Sequence, residues 1–359
     1  MNGLWRGWLV AAGVASSRCR RLTVVVIASV AFHNFKALRS ARVDLCPFNL
    51  VIGPNGAGKS SLIQAVMRLR ALARPPLREP VPEHERMPHA AEITFNFTPP
   101  HDGLEATLGC VNESVCDLLQ VAPLARGEGA DDWSGLREKI LGVRAYFFDH
   151  TAIAAPVYPV SSDELAPNGG NLAARLAALR DRAPEAYAGL RAELLRLFPE
   201  YSELEPIPAR GTFALRLADP AENVAVEPGD LSQGTLYTIA LLALAHDPEP
   251  PALVCVEELD RGIHPRLLRD VRDILYRLSY PADHGLTRPP TQVIATTHSP
   301  LLLDLFRDHP EEVVIAEKTG RAATFTRLAD RPDLAELLAE GGSLGDLWYS
   351  GILGGVPAE

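Results

Sequence analysis

The chain has 359 residues, a formal net charge of −10 and 47% hydrophobic against 22% charged residues. That is the balance of a folded water-soluble protein and excludes disordered, collagen-like and coiled-coil compositions. The acidic balance argues against a surface that coats nucleic acid indiscriminately and leaves room only for a local basic patch.

The positive charge is lopsided: of 35 Lys plus Arg, only Lys36, Lys59, Lys139 and Lys318 are lysine. The cysteines stand at Cys19, Cys46, Cys110, Cys116 and Cys255, with no CxxC pair. Neither a zinc site nor a disulfide framework is expected, and a reducing cytoplasm is the default compartment. At the N-terminus, Arg6 and the apolar run Trp8 to Ala15 loosely resemble a secretory signal. The hydrophobic stretch Leu22 to Phe32 is too short to span a bilayer.

In chain order, Val24 to Phe35 reads as a β-branched strand and Ala41 to Gly53 as a second, ending in a Gly-rich turn. SLIQAVMRLRALA then has helical periodicity, which completes a strand, loop and helix. Five prolines between Pro75 and Pro88 open a loop, and the alternation of Ala91 to Phe97 predicts a strand of a side sheet. Residues 98–140 carry little signal. Val143 to Phe148 predicts a strand, and Asn171 to Arg182 and Pro184 to Leu197 two amphipathic helices. Beyond Ser232 the pattern predicts a strongly apolar helix, then a strand at Ala252 to Val256. A helix over Pro265 to Leu278 and strands at Gln292 to Thr297 and Glu312 to Glu317 follow. Strands alternating with helices imply a doubly wound, mostly parallel sheet. No heptads persist, so no coiled-coil arm is expected.

The sharpest motif is Gly53-Pro54-Asn55-Gly56-Ala57-Gly58-Lys59-Ser60, which fits the phosphate-binding pattern G-x-x-x-x-G-K-[ST]. Its glycines let backbone N–H groups converge on phosphate oxygens, and the following helix offers its positive end. Lys59 is placed to reach the β and γ phosphates, and the Ser60 hydroxyl to ligand Mg²⁺. Glu257 and Glu258 end the charge-free strand LVCV. Two acids at a strand terminus are unremarkable alone. Downstream of a P-loop they read as a Walker B pair, Glu257 holding Mg²⁺ through water and Glu258 polarising the attacking water. His298 follows the apolar strand QVIATT, where a γ-phosphate sensor would sit. Ser232, in Leu231-Ser232-Gln233-Gly234-Thr235, is locally an N-cap, yet a Ser and a Gly at a helix start can also hold an anion.

In this order, HNFKAL, GPNGAGKSS, LSQGTL, VEELDRGIHP and ATTHSP resemble the ABC-type ATPase heads of the RecF/SMC group. They are most similar to compact AAA-family ATPases related to the OLD proteins and the AbiEii-associated ATPases. The resemblance implies a P-loop NTPase of α/β class with an antiparallel side sheet and a helical lobe. Its ATPase domain would run over residues 23–330, as a Walker A lobe 23–75, an inserted lobe 76–230 and a signature, Walker B and switch lobe 231–330. Residues 1–22 would be an extension and 331–359 a tail.

The resemblance also implies roles. Gly53, Asn55, Gly56, Gly58, Lys59, Ser60 and Ser61 would hold ATP, with Lys36 near the nucleotide. Glu257 and Ser60 would hold Mg²⁺, and Glu258 and His298 would be catalytic. Ser232 and Gly234 would meet the γ-phosphate bound by a second copy of the chain, and Asp260 would lie across that seam. Gln233 departs from the fuller LSGGQ signature, Glu257 replaces an aspartate, and Leu259 stands where relatives carry proline. None of the glutamines, Gln64, Gln120, Gln233 and Gln292, has the context of a Q-loop.

Two functions follow as expectations. One is an ATP-driven homodimer acting in DNA maintenance, or with a separately encoded effector or nuclease in phage defence or a toxin–antitoxin pair. DNA contact, if made, would be local, with the run Arg68, Arg70, Arg74 and Arg78 as one candidate against the simpler reading of a solvated helix face. Only 61 residues follow His298, fewer than the nuclease domain OLD proteins carry there, so nuclease activity in this chain is not expected. The other function is the nucleotide-binding subunit of an ABC transporter. A cytoplasmic protein without membrane insertion fits the first reading.

Overall fold

The computed structural model describes residues 26–77, 91–124, 133–159, 164–209, 211–219, 224–339 and 341–354. The N-terminal signal-like stretch and Arg78 lie outside them. The elements are, in order, β1 (Ile27–Phe35), β2 (Leu38–Asp44), β3 (Phe48–Ile52), α1 (Lys59–Ala73), β4 (Ala91–Phe97), β5 (Leu104–Cys110) and β6 (Cys116–Pro123). Next come α2 (Trp133–Leu141), β7 (Val143–Tyr146), α3 (His150–Ala154), α4 (Leu172–Arg182), α5 (Pro184–Leu197), β8 (Glu203–Ala209), β9 (Thr212–Asp219) and β10 (Val224–Val226). The remainder is α6 (Gln233–Ala245), β11 (Leu253–Val256), α7 (Leu268–Ser279), β12 (Gln292–Thr297), α8 (Pro300–Asp304), β13 (Val313–Thr319), β14 (Ala322–Arg327), α9 (Leu334–Ala339) and α10 (Leu344–Tyr349).

The central sheet has the order β14-β13-β3-β12-β11-β7 and is parallel except for the edge pair β13–β14. Its inner strands are continuous apolar runs because both faces are covered; every residue of β3, β11 and β12 is buried. The sheet divides two cores. Phe48, Leu50, Ile52, Val254 and Val256 face the helical lobe, whereas Val51, Cys255 and Ile294 face α1 and the side sheet.

That side sheet is antiparallel, in the order β2-β1-β4-β5-β6. β4 and β5 alternate buried and half-buried residues, the period of a sheet with one face on the core. The run Ala41 to Gly53, expected as one strand, divides between two sheets: β2 turns back along β1, and β3 crosses into the central sheet. Residues 98–140, silent in sequence, supply β5, β6 and α2, and a third sheet, β10-β9-β8, flanks the helical lobe.

One expectation fails outright. Cys110 and Cys116 form a disulfide across the β5–β6 turn, where the antiparallel register sets them opposite each other. Spacing alone hid this, because a six-residue separation carries no pairing signal until the hairpin is known. Cys255 is buried and free.

α6 is buried nearly all round, as its unbroken apolar sequence demands. Among the described residues no helix is long and apolar enough to cross a membrane. The arginine run on α1 is engaged within the fold: Arg70 donates to the Leu141 carbonyl at 3.1 Å and Arg68 lies 5.5 Å from the centre of the Phe35 ring.

Candidate nucleotide site

Parallel register sets the site. Ile52 pairs with Thr297, and Val256 with both Ala295 and Tyr146, so β3, β12, β11 and β7 end along one edge. The P-loop, His298, the glutamate pair and Phe147 follow directly from those ends. In such sheets the carboxyl edge is where ligands bind.

The P-loop leaves β3 at Gly53, where a Cβ would collide with the Ala316 carbonyl. It enters α1 at Gly58, whose φ of 94° favours glycine. A Cβ there would stand 2.9 Å from Leu38, so the β1–β2 hairpin packs on the loop. α1 has no side-chain cap and no acid in its first turn, leaving its leading N–H groups to an anion. Asn55 and Gly56 are exposed at the bend, and Ser61 is half-buried in the first turn of α1.

Lys59 is buried, its ammonium donating to the carbonyls of Gly53 at 2.7 Å and Pro54 at 3.1 Å. Burial pulls its pKa down to about 8, against the opposing pull of Glu258, Asp260 and Glu257. Among the described residues no carboxylate bonds it directly. The Ser60 hydroxyl donates to Glu257 Oε2 at 3.0 Å. A hydroxyl and a carboxylate oxygen so placed suit a hard oxygen-seeking cation such as Mg²⁺, which takes few protein ligands when phosphates and water supply the rest. No cluster of three or more His, Cys, Asp or Glu suited to a metal occurs among the described residues.

Glu258 turns away from the strand with a left-handed φ of 51°. Thr296 at the end of β12 holds the turn: its hydroxyl accepts from the Glu258 N–H at 3.0 Å and its carbonyl from the Leu259 N–H at 2.9 Å. Thr297 repeats the arrangement, its hydroxyl donating to Asp260 Oδ1 at 2.5 Å and accepting from the Ser299 N–H at 2.9 Å. Asp260 is therefore tied within its own chain, beside His298. Burial, then the charge of Lys59, lowers the His298 pKa while Asp260 and Glu258 oppose the shift, which keeps the ring neutral near pH 7.

The two threonines escaped the sequence reading. Their signal was hydroxyls in an otherwise apolar buried strand. Arg261 has no role assigned by a sequence motif; its guanidinium stacks 4.7 Å from the centre of the exposed Phe147 ring, and its Nε is 3.9 Å from Glu258. Lys36 lies in the β1–β2 turn with φ 53° and donates to Gln64 on α1. Gln64 thus has a role in holding that lysine.

Ser232 and Gly234 do not join this cluster. Ser232 caps α6, its hydroxyl accepting from the Thr235 N–H at 3.0 Å. Both residues line a separate open groove of about 930 Å³ with Arg196, Thr235, His264 and Arg266. The groove contains no P-loop residue.

Residues 127–304, just under half the chain, match the family described as "AAA domain, putative AbiEii toxin, Type IV TA system". The match begins beyond the P-loop and takes in the signature, the glutamate pair and His298. The chain is 24% identical to an OLD nuclease of Thermus scotoductus, over 84% of its own length and 64% of that protein's. It therefore spans less than two thirds of that relative. Among solved structures it is similar to an SMC head domain from Thermotoga maritima, with TM-score 0.46, 12% identity, and coverage of 85% of this chain and 99% of that one. In its motifs and in this match the chain is similar to AAA ATPase domains and to the OLD nuclease.

Proposed function

We propose that this AAA-type ATPase domain binds ATP with Mg²⁺ at the P-loop and hydrolyses it in a head-to-tail homodimer. The observation that carries the reading is the 3.0 Å bond from Ser60 to Glu257, which brings Walker A and Walker B residues 197 positions apart into one cation-sized constellation. Glu257, longer by one carbon than the usual aspartate, reaches the Ser60 hydroxyl without distortion of the strand.

In this reading Lys59 exchanges its two carbonyl partners for phosphate oxygens, and the α1 N-terminus and loop amides bind the remaining phosphate charge. Mg²⁺, held by Ser60 and, through water, Glu257, would offset negative charge on the phosphates. Glu258 orients the attacking water and takes its proton. His298, neutral near pH 7, can donate one ring N–H toward the γ-phosphate and accept at the other nitrogen.

The separation of the signature groove from the P-loop supports a second copy as the supplier of Ser232 and Gly234 to each nucleotide. Phosphate release measured with ATP and Mg²⁺, and again with excess EDTA, tests the chemistry, and solution mass with and without ATP tests the dimer. Activity that requires Mg²⁺, with a mass that doubles on ATP, is expected. Failure of the wild-type chain to release phosphate overturns the reading. We place this activity in DNA maintenance or defence, in the cytoplasm and beside a separate effector protein; the likeness to a toxin–antitoxin family and to an OLD nuclease supports the DNA or defence part of that reading.

A further inference from the structure

We propose that Lys318, at the end of β13, is a second lysine for the phosphate chain of the nucleotide. The inference rests on the reading of the P-loop as an ATP site and extends it to a residue outside every motif.

β13 runs parallel to and directly beside β3, with Ile315 opposite Ile52. The chain just beyond β3 therefore travels alongside β13. At the first step Gly53 packs on the Ala316 carbonyl so closely that no Cβ fits. Side chains two apart on a strand share a face, and Lys318 follows Ala316 by two. Its ammonium lies 3.4 Å from where a Cβ on Gly56 would stand, at most one further C–C bond from the Gly56 Cα. Gly56, with φ 76°, is at the bend of the loop.

Where this ammonium points sets it apart from an ordinary surface lysine. Lys318 is exposed, yet its charged end rests on the P-loop. The neighbouring acid, Glu317, takes the opposite face and meets Gly354 in the C-terminal segment. Among the described residues Lys318 has no ion pair. A cation without an anionic partner, beside a loop whose amides converge on phosphate, has its natural partner in that phosphate. Lysine also suits the place, since a compact ammonium can meet an oxygen above the loop where a planar guanidinium needs a wider approach. Three of the four lysines, Lys36, Lys59 and Lys318, thus gather around the loop or the hairpin packed on it.

Lys318 would act as a binding residue. It stands beside β3 on the side away from β12 and β11, which carry His298 and the glutamate pair, so it would hold nucleotide before and after hydrolysis alike. Uniform binding of this kind raises KM on loss and leaves kcat in place.

The test measures dissociation constants for Mg²⁺–ADP and Mg²⁺–ATP with wild type, Lys318→Ala and Lys139→Ala. Lys139 lies in α2, whose Arg137 bonds the Ala73 carbonyl at the far end of α1, so this control removes the same charge about 20 Å from the loop. Lys318→Ala is expected to weaken both nucleotides by about 5- to 20-fold, the effect of one solvent-screened charged hydrogen bond. Lys139→Ala should stay within twofold of wild type. Lys318→Ala within twofold of wild type for both ligands would overturn the assignment while leaving the ATP site standing. A wild-type chain that binds neither nucleotide would remove the ATP site itself and Lys318 with it.

Discussion

A Cβ placed on Gly234 would stand 2.6 Å from the carbonyl oxygen of Gly262. The start of α6 and the loop beyond the glutamate pair are therefore in close backbone approach. Gly262 has φ 67°, and a Cβ there would meet the Gln233 side chain in turn.

Gly234→Ala must push backbone against backbone. Overpacking of this kind costs about 1–3 kcal/mol. A lowered melting temperature is expected, with a loss of ATP-driven dimer larger than Ser232→Ala produces. Thermal unfolding and light scattering on the two variants check it; a Gly234→Ala variant as stable as wild type would show that the contact yields freely.

Glu258→Gln keeps the shape of the side chain and removes its basicity. Turnover should fall by about 10²-fold or more, the usual loss with a general base, while ATP affinity stays near wild type. Equal phosphate release from variant and wild type would take Glu258 out of that role.

Ser232→Arg fills the groove at the helix start. It should abolish ATP-driven dimerisation while one subunit still binds nucleotide with wild-type affinity. Loss of the N-cap alone costs about 1 kcal/mol, so Ser232→Ala separates capping from steric occlusion. A Ser232→Arg protein that still dimerises with ATP would sink the trans-site arrangement.

Lys59 gives a pH signature. Its free-state pKa is lowered to about 8 by burial, and bound phosphates favour the charged form, raising it again. Nucleotide binding near or above pH 8 should therefore take up a proton. Affinity should fall as pH rises through that value, by up to about tenfold per unit for one linked proton. Calorimetry in two buffers of different ionisation enthalpy reads the uptake. With Lys59→Arg, which stays charged, the proton uptake should vanish.

The motifs were legible because each is local: a P-loop sits between its strand and its helix, and β12 was read to the residue as Gln292–Thr297. What escaped depends on register between distant strands. Thr296 and Thr297 matter only because β12 lies beside β11, which puts their hydroxyls under Glu258 and Asp260. Lys318 matters only because β13 lies beside β3. The disulfide of Cys110 with Cys116 needed the β5–β6 hairpin first. The third sheet was silent because its strand β8 carries prolines at Pro206 and Pro208, residues that argue against strands except at edges, where β8 lies.

The left-handed turn at Glu258 has a cost in stability. A glutamate held at φ 51° carries conformational strain of about 1–2 kcal/mol, which glycine would not. Glu258→Gly should therefore give a protein that melts no lower than wild type, and even higher, yet hydrolyses no ATP. In the proposed role of Glu258 as general base, thermal robustness and turnover would pull this position in opposite directions.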